Sequence, residues 1–137
     1  MPHDPELIAE TRAWLAKAWL DLAAAQHDLT AEPPFVEDIV FHAQQAVEKA
    51  LKALLTWHGS PFRKTHNLEE LGEQSLRIEP ELRPLVDRAV PLTEYAWKYR
   101  YPGEYDPPPR EEAQAALMIA RETYEAIARR LPPEVRP

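Results

Sequence analysis

The sequence predicts an all-α protein, an up-and-down four-helix bundle with one additional short helix. Three observations predict it. Apolar residues recur every three or four positions over long segments. Most of the 15 prolines, against three glycines, fall between or at the ends of those segments. No stretch alternates apolar and polar residues with β-branched enrichment, so no strand is expected. With 137 residues and 45% hydrophobic content, residues 1–137 are read as one domain with one core.

The first helix starts at Asp4, which can cap free N–H groups, with Pro5 at a position where a helix N–H has no partner anyway. Leu7, Thr11, Leu15, Ala18, Leu22, Ala25 and Leu29 step along one face, and Trp14 and Trp19 widen it. This helix should reach roughly 39 Å at about 1.5 Å per residue. Glu32-Pro33-Pro34 breaks the chain, and a second helix runs from about Pro34 to His58. Gly59 reads as its left-handed C′ residue and Pro61 prevents continuation. Two long helices so joined should pack antiparallel.

Asn67 with Glu70 three residues on has the spacing of a capping box and opens a short third helix ending near Leu76. Glu79-Pro80 opens a fourth, expected to reach Tyr101 with a kink between Asp87 and Pro91. Pro102 to Pro109 is a stiff loop. A last helix from near Pro109 buries Ala113, Leu117, Ala120, Tyr124, Ile127 and Leu131 before Pro132-Pro133 stops it.

Composition narrows the function. With no cysteine there are no disulfides, no thiol catalysis and no sulfur ligands for structural zinc. The segment Met1 to Glu6 lacks the basic and apolar regions of a secretory leader, and Ala13 to Ala25 is too short and too charged to span a bilayer. A cytoplasmic location and no membrane partner are expected. The net charge of −7 argues against general attraction to nucleic acid but leaves room for a local basic site. The stiff composition fits a heat-adapted protein.

Three groups of residues could carry chemistry. On the second helix, His42, Gln45, Glu48, Lys49 and Lys52 lie opposite the apolar stripe, with Phe41 among them. A solvated face, with Glu48 and Lys52 as a surface i, i+4 pair, is the plain account. A dimer face or cleft wall is the sharper one, and an aromatic ring amid polar residues favours it. Gln44 falls at the border of the apolar face, where its amide must find a partner.

The second group is Arg100 with Lys98, Tyr95, Tyr99, Tyr101 and Tyr105. Arginine offers a planar fork for phosphate, and tyrosines can stack a base. The competing account is a helix terminus, with Arg100 complementing its negative end. The third is Arg63-Lys64-Thr65-His66, where His66 either meets phosphate or fixes the loop before Asn67. No histidine has His-x3-His or Glu-x-x-His spacing and no glycine-rich loop is present, so neither a metal nor a cofactor is expected.

The run Phe41-His42-Ala43-Gln44-Gln45-Ala46-Val47-Glu48-Lys49-Ala50-Leu51-Lys52-Ala53-Leu54-Leu55 is the specific block of a wider resemblance. With Thr65-His66-Asn67-Leu68-Glu69-Glu70-Leu71 and Tyr99-Arg100-Tyr101-Pro102, it resembles the HEPN family over nearly the whole chain. The resemblance implies a small helical bundle, often dimeric, tied to nucleotide or RNA biology. Nuclease members carry an arginine, then four to six residues, then a histidine that moves a proton while the arginine stabilises phosphate charge. In this chain the matching positions after Arg100 are Tyr105, Asp106 and Pro107. Tyrosine, ordinarily titrating near 10, is a poor general base at neutral pH. A related branch carries a tyrosine two residues past the histidine, modified by a partner nucleotidyltransferase; that position is Pro107.

The expectation is therefore a non-catalytic HEPN-type protein that binds a nucleotide or partners a small nucleotidyltransferase, as in toxin–antitoxin pairs, and forms a homodimer. Ligand contacts are expected from Arg100, Tyr101, Tyr105, Tyr99, Lys98 and His66. Phe41, His42, Gln45, Glu48, Lys49 and Lys52 are expected on the dimer or cleft face. The alternatives are a metal-independent ribonuclease toxin and a dimeric scaffold without ligand.

Overall fold

A computed structural model describes residues 3–137. Met1 and Pro2, which open the segment read as lacking a leader, lie outside them. Helix α1 spans Pro5–Leu29, and the Asp4 carboxylate accepts from the Glu6 N–H at 3.0 Å, as its cap position predicts. Helix α2 spans Val36–Trp57, two residues inside the start expected at Pro34. It ends in a Schellman turn: the Ser60 N–H donates to the Leu55 carbonyl at 2.9 Å and the Gly59 N–H to that of Thr56. Gly59 has φ +67°, the left-handed conformation expected of it.

Helix α3 spans Leu68–Ile78, with the Asn67 side chain accepting from the N–H groups of Glu69 and Glu70. The fourth segment departs from expectation. In place of one kinked helix to Tyr101 there is a 3-10 turn at Pro80–Leu82, a short α4 at Arg83–Ala89, and a 3-10 stretch at Val90–Ala96. Pro91 has no N–H to continue the ladder, and the Thr93 hydroxyl donates to the Val90 carbonyl at 2.7 Å. That hydroxyl also accepts from the Leu68 N–H at 3.2 Å, which ties this stretch to the start of α3. Residues 97–105 follow as turns and bends. Helix α5 spans Arg110–Arg129, and the Arg136 side chain folds back to donate to the carbonyls of Ala128 and Leu131.

The core is organised about α2. Ile39, Val40, Ala43, Ala46, Val47, Ala50, Leu51, Ala53, Leu54 and Leu55 are all buried along it. It packs against α1, α3, α5 and the Val90–Ala96 stretch. Burial on nearly every side explains its alanines, which let neighbouring helices approach closely. The described residues form five α-helices and no strand, the all-α bundle predicted. No helix among them is long and apolar enough to cross a membrane.

Candidate nucleotide site

Gln44 and Glu48, a turn apart on α2, begin an internal polar network. Gln44 is fully buried. Its amide nitrogen lies 3.1 Å from the His66 carbonyl and 3.2 Å from Oε1 of Glu48, and its oxygen accepts from Gln45 at 2.7 Å. The bond to a backbone carbonyl is the kind its border position demanded. Glu48 is 3% and Lys52 7% exposed, joined at 3.1 Å. These two are therefore covered by their own chain and form no solvated pair. Trp14 and Phe62 flank the Lys52 ammonium, with ring centroids 5.4 and 5.7 Å away. The third partner of Glu48 is His66 Nδ1, at 2.7 Å. His66 thus fixes its loop to α2, while its side chain remains 69% exposed.

A second network spans α1 and α2. Asp21 bonds His42 Nδ1 at 2.8 Å and Lys49 Nζ at 2.7 Å. His42 Nε2 lies 3.4 Å from Asp38. The bond to Asp21 raises the His42 imidazole above its usual range, against the opposing effect of burial and with Asp38 assisting. Burial, then the hydrogen bond shared with Asp38, pushes the Asp28 carboxyl up to about 6. Its Oδ2 is buried with no hydrogen-bond partner. Donor atoms of Asp28, Asp38 and His42 lie within 4.8 Å of one another, a grouping the spacing of the histidines did not suggest.

Arg100 sits in the bends after the Val90–Ala96 stretch, so it caps no helix end. Its guanidinium carbon lies 4.0 Å from the centroid of the half-buried Phe41 ring, within cation–π range. Phe41 thus has part of its face covered by Arg100. Among the described residues Arg100 forms no ion pair. It lines an open cleft of about 270 Å³ with Glu37, Lys98, Tyr99, Tyr101, Gly103 and Tyr105. Tyr101 is 79% and Tyr105 45% exposed. Lys98 pairs with Glu94 at 3.1 Å, which raises its ammonium, and lies 5.3 Å from the Tyr105 ring centroid. Tyr99 stacks on Tyr95 at 6.1 Å. Tyr95 is structural: buried, it donates to Glu112 at 2.7 Å, and burial first, then this bond, raises its phenol.

The fold therefore brings Arg100, Tyr99, Tyr101, Tyr105 and Lys98 together, with Phe41 beneath. His66 stands apart from that cleft, beside Glu48. Of the predicted contact face, Phe41, His42, Gln45 and Lys49 stay partly exposed. Asp21, Asp28 and Glu37 were missed; their sequence signal was only a charge at the edge of a helix stripe. A larger cleft of about 550 Å³ lies between Pro61 and Arg77. There Arg63 is engaged by Glu70 and Gln74 by the Pro61 carbonyl, and its aromatic ring, Phe62, packs on Lys52 and not beside a free cation as in the Arg100 cleft.

No curated protein and no solved structure matches the chain. The family model of the HEPN domain matches residues 11–131, which include α2, the His66 loop, the Arg100 cleft and α5. The chain belongs to the HEPN domain family.

Proposed function

We propose that this HEPN-domain chain is a non-catalytic binding protein that takes a nucleotide, or a partner bearing one, in the Arg100 cleft. The observation that carries the reading is the unpaired Arg100 guanidinium laid over Phe41 beside three tyrosines. Arginine held this way keeps its donors free for phosphate, while Tyr101 and Tyr105 offer faces to a base. Glu37 repels phosphate from its side of the cleft and accepts from a hydroxyl or amine. Family association adds a homodimer and a small nucleotidyltransferase as partners, on analogy alone.

The ribonuclease alternative, in which Arg100 acts with Tyr105 or a distant His66, has little support in either form: Tyr105 lines the Arg100 cleft, but tyrosine is ordinarily a poor general base at neutral pH, and His66 is seated elsewhere on α2. Phe41, under Arg100, and Glu48, beside His66, are two turns apart on α2, about 10 Å at about 1.5 Å per residue. Arg100 and His66 are thus held by different turns of α2 and share no contact. Calorimetric titration of mononucleotides and short RNA into wild type and Arg100→Ala tests the binding reading. Removing Arg100 should cost roughly 1.5–3 kcal/mol, and added salt should weaken the wild type. Equal affinity in both proteins refutes the site.

A further inference from the structure

The His66 imidazole is fixed at one nitrogen and open at the other. Oε1 of Glu48 accepts from Gln44 and Oε2 from Lys52, so the carboxylate faces donors on every side. Nδ1 of His66, 2.7 Å from Oε1, is therefore the donor in that contact. In the neutral ring this tautomer leaves the lone pair on Nε2. No bond among the described residues uses Nε2, and the side chain is 69% exposed. The backbone is held as well, by Gln44 at the His66 carbonyl and by Asn67 capping α3. Nε2 is thus a hydrogen-bond acceptor of fixed position turned to solvent.

Its position relative to Arg100 adds the second observation. Phe41 and Glu48 differ by seven residues, so they share a face of α2. The half-exposed Gln45 lies between them. Arg100 is seated on the first and His66 on the second. The helix positions that seat the cation and the acceptor are thereby two turns, about 10 Å, apart along one face.

Resting on the reading of the Arg100 cleft as a phosphate site, we propose that His66 Nε2 accepts a hydrogen bond from a ribose hydroxyl of the same ligand, so that the protein prefers ribonucleotides to their deoxy counterparts. An acceptor has nothing to offer an ionised phosphate. Every ribonucleotide, whatever its base, offers hydroxyl donors at the sugar. Two sources of that hydroxyl suit seats two helix turns apart: a second nucleotide of a strand, or the sugar across the phosphate chain of a nucleoside triphosphate.

Two ligand pairs separate these sources: 5′-phosphorylated triadenylate against its 2′-deoxy form, and ATP against 2′,3′-dideoxy-ATP. Each is titrated calorimetrically into wild type, His66→Ala and Arg100→Ala. In wild type the ribose form of at least one pair should bind roughly three- to tenfold tighter, the effect of one neutral hydrogen bond. Discrimination in the first pair identifies a strand, and in the second a free nucleotide. His66→Ala, which also removes the tie to Glu48, should bring the ratio to one while the ligand still binds through Arg100. Equal binding of both members of each pair to wild type overturns the proposal. So does a ratio that His66→Ala leaves unchanged. In either case weakening by Arg100→Ala would leave the cleft reading standing, whereas indifference to Arg100→Ala would overturn both.

Discussion

Glu48 is a charged group that folding removes from water, and the three donors around it compensate. Truncating it would leave the Lys52 ammonium buried against Trp14 and Phe62 with no carboxylate. Glu48→Ala should cost about 3–5 kcal/mol, the range for breaking a buried pair from one side. Urea denaturation of the two proteins measures it, and a loss below about 1 kcal/mol would mean that Lys52 reaches water instead. At this scale the sequence was half legible. A glutamine on the edge of an apolar stripe announces that it needs a partner, and Gln44 found three. The Glu48–Lys52 spacing fits a surface pair equally well. Its burial depends on Trp14 from α1 and on Phe62 and His66 from the following loop, and helical periodicity says nothing about such distant groups.

The α1–α2 pair carries a pH dependence of definite sign. Asp28 titrates at about 6 in the fold against an ordinary 3.8, so the folded chain holds a proton that the unfolded chain releases between those values. Its effect on stability is therefore unfavourable as pH rises through that window. His42 is raised above 6.5, so its contribution is complete below 6.5 and lost as pH climbs through the folded value. Both slopes run the same way. Asp28→Asn removes the first, and its stability relative to wild type should increase between about pH 4 and pH 7. Denaturation midpoints at the two pH values test this; a constant difference would show that Asp28 carries no proton linkage. None of this was visible in the sequence, because Asp21 and His42 are 21 residues apart. The fourth helix failed at the same scale. Pro91 was read as bending a helix that continues, but Thr93 turns its hydroxyl to the Val90 carbonyl and the start of α3, and the chain leaves the helix before Arg100.

For the whole molecule, the bundle itself was readable because its signals are local: caps at Asp4 and Asn67, a left-handed Gly59 and apolar stripes at helical spacing. Assembly depends on surface that folding leaves exposed. Trp19 and Leu20 on α1 are 52% and 53% exposed, Met118 on α5 58%, and Trp97 beyond the 3-10 stretch 55%. Large apolar groups in water favour a second copy, and two-fold dimers are the commonest closed assembly. Against this, each protomer carries a net charge of −7, so two copies repel. Which term prevails should show in the salt response. If burial of apolar surface drives pairing, salt screens the repulsion and tightens the dimer, whereas an interface built on ion pairs would loosen. Light scattering at micromolar concentration should give twice the 15.8 kDa chain mass, with dissociation on dilution suppressed by added salt. A single-chain mass at every salt concentration would remove the dimer from the proposal and leave the Arg100 cleft to be completed by its ligand alone.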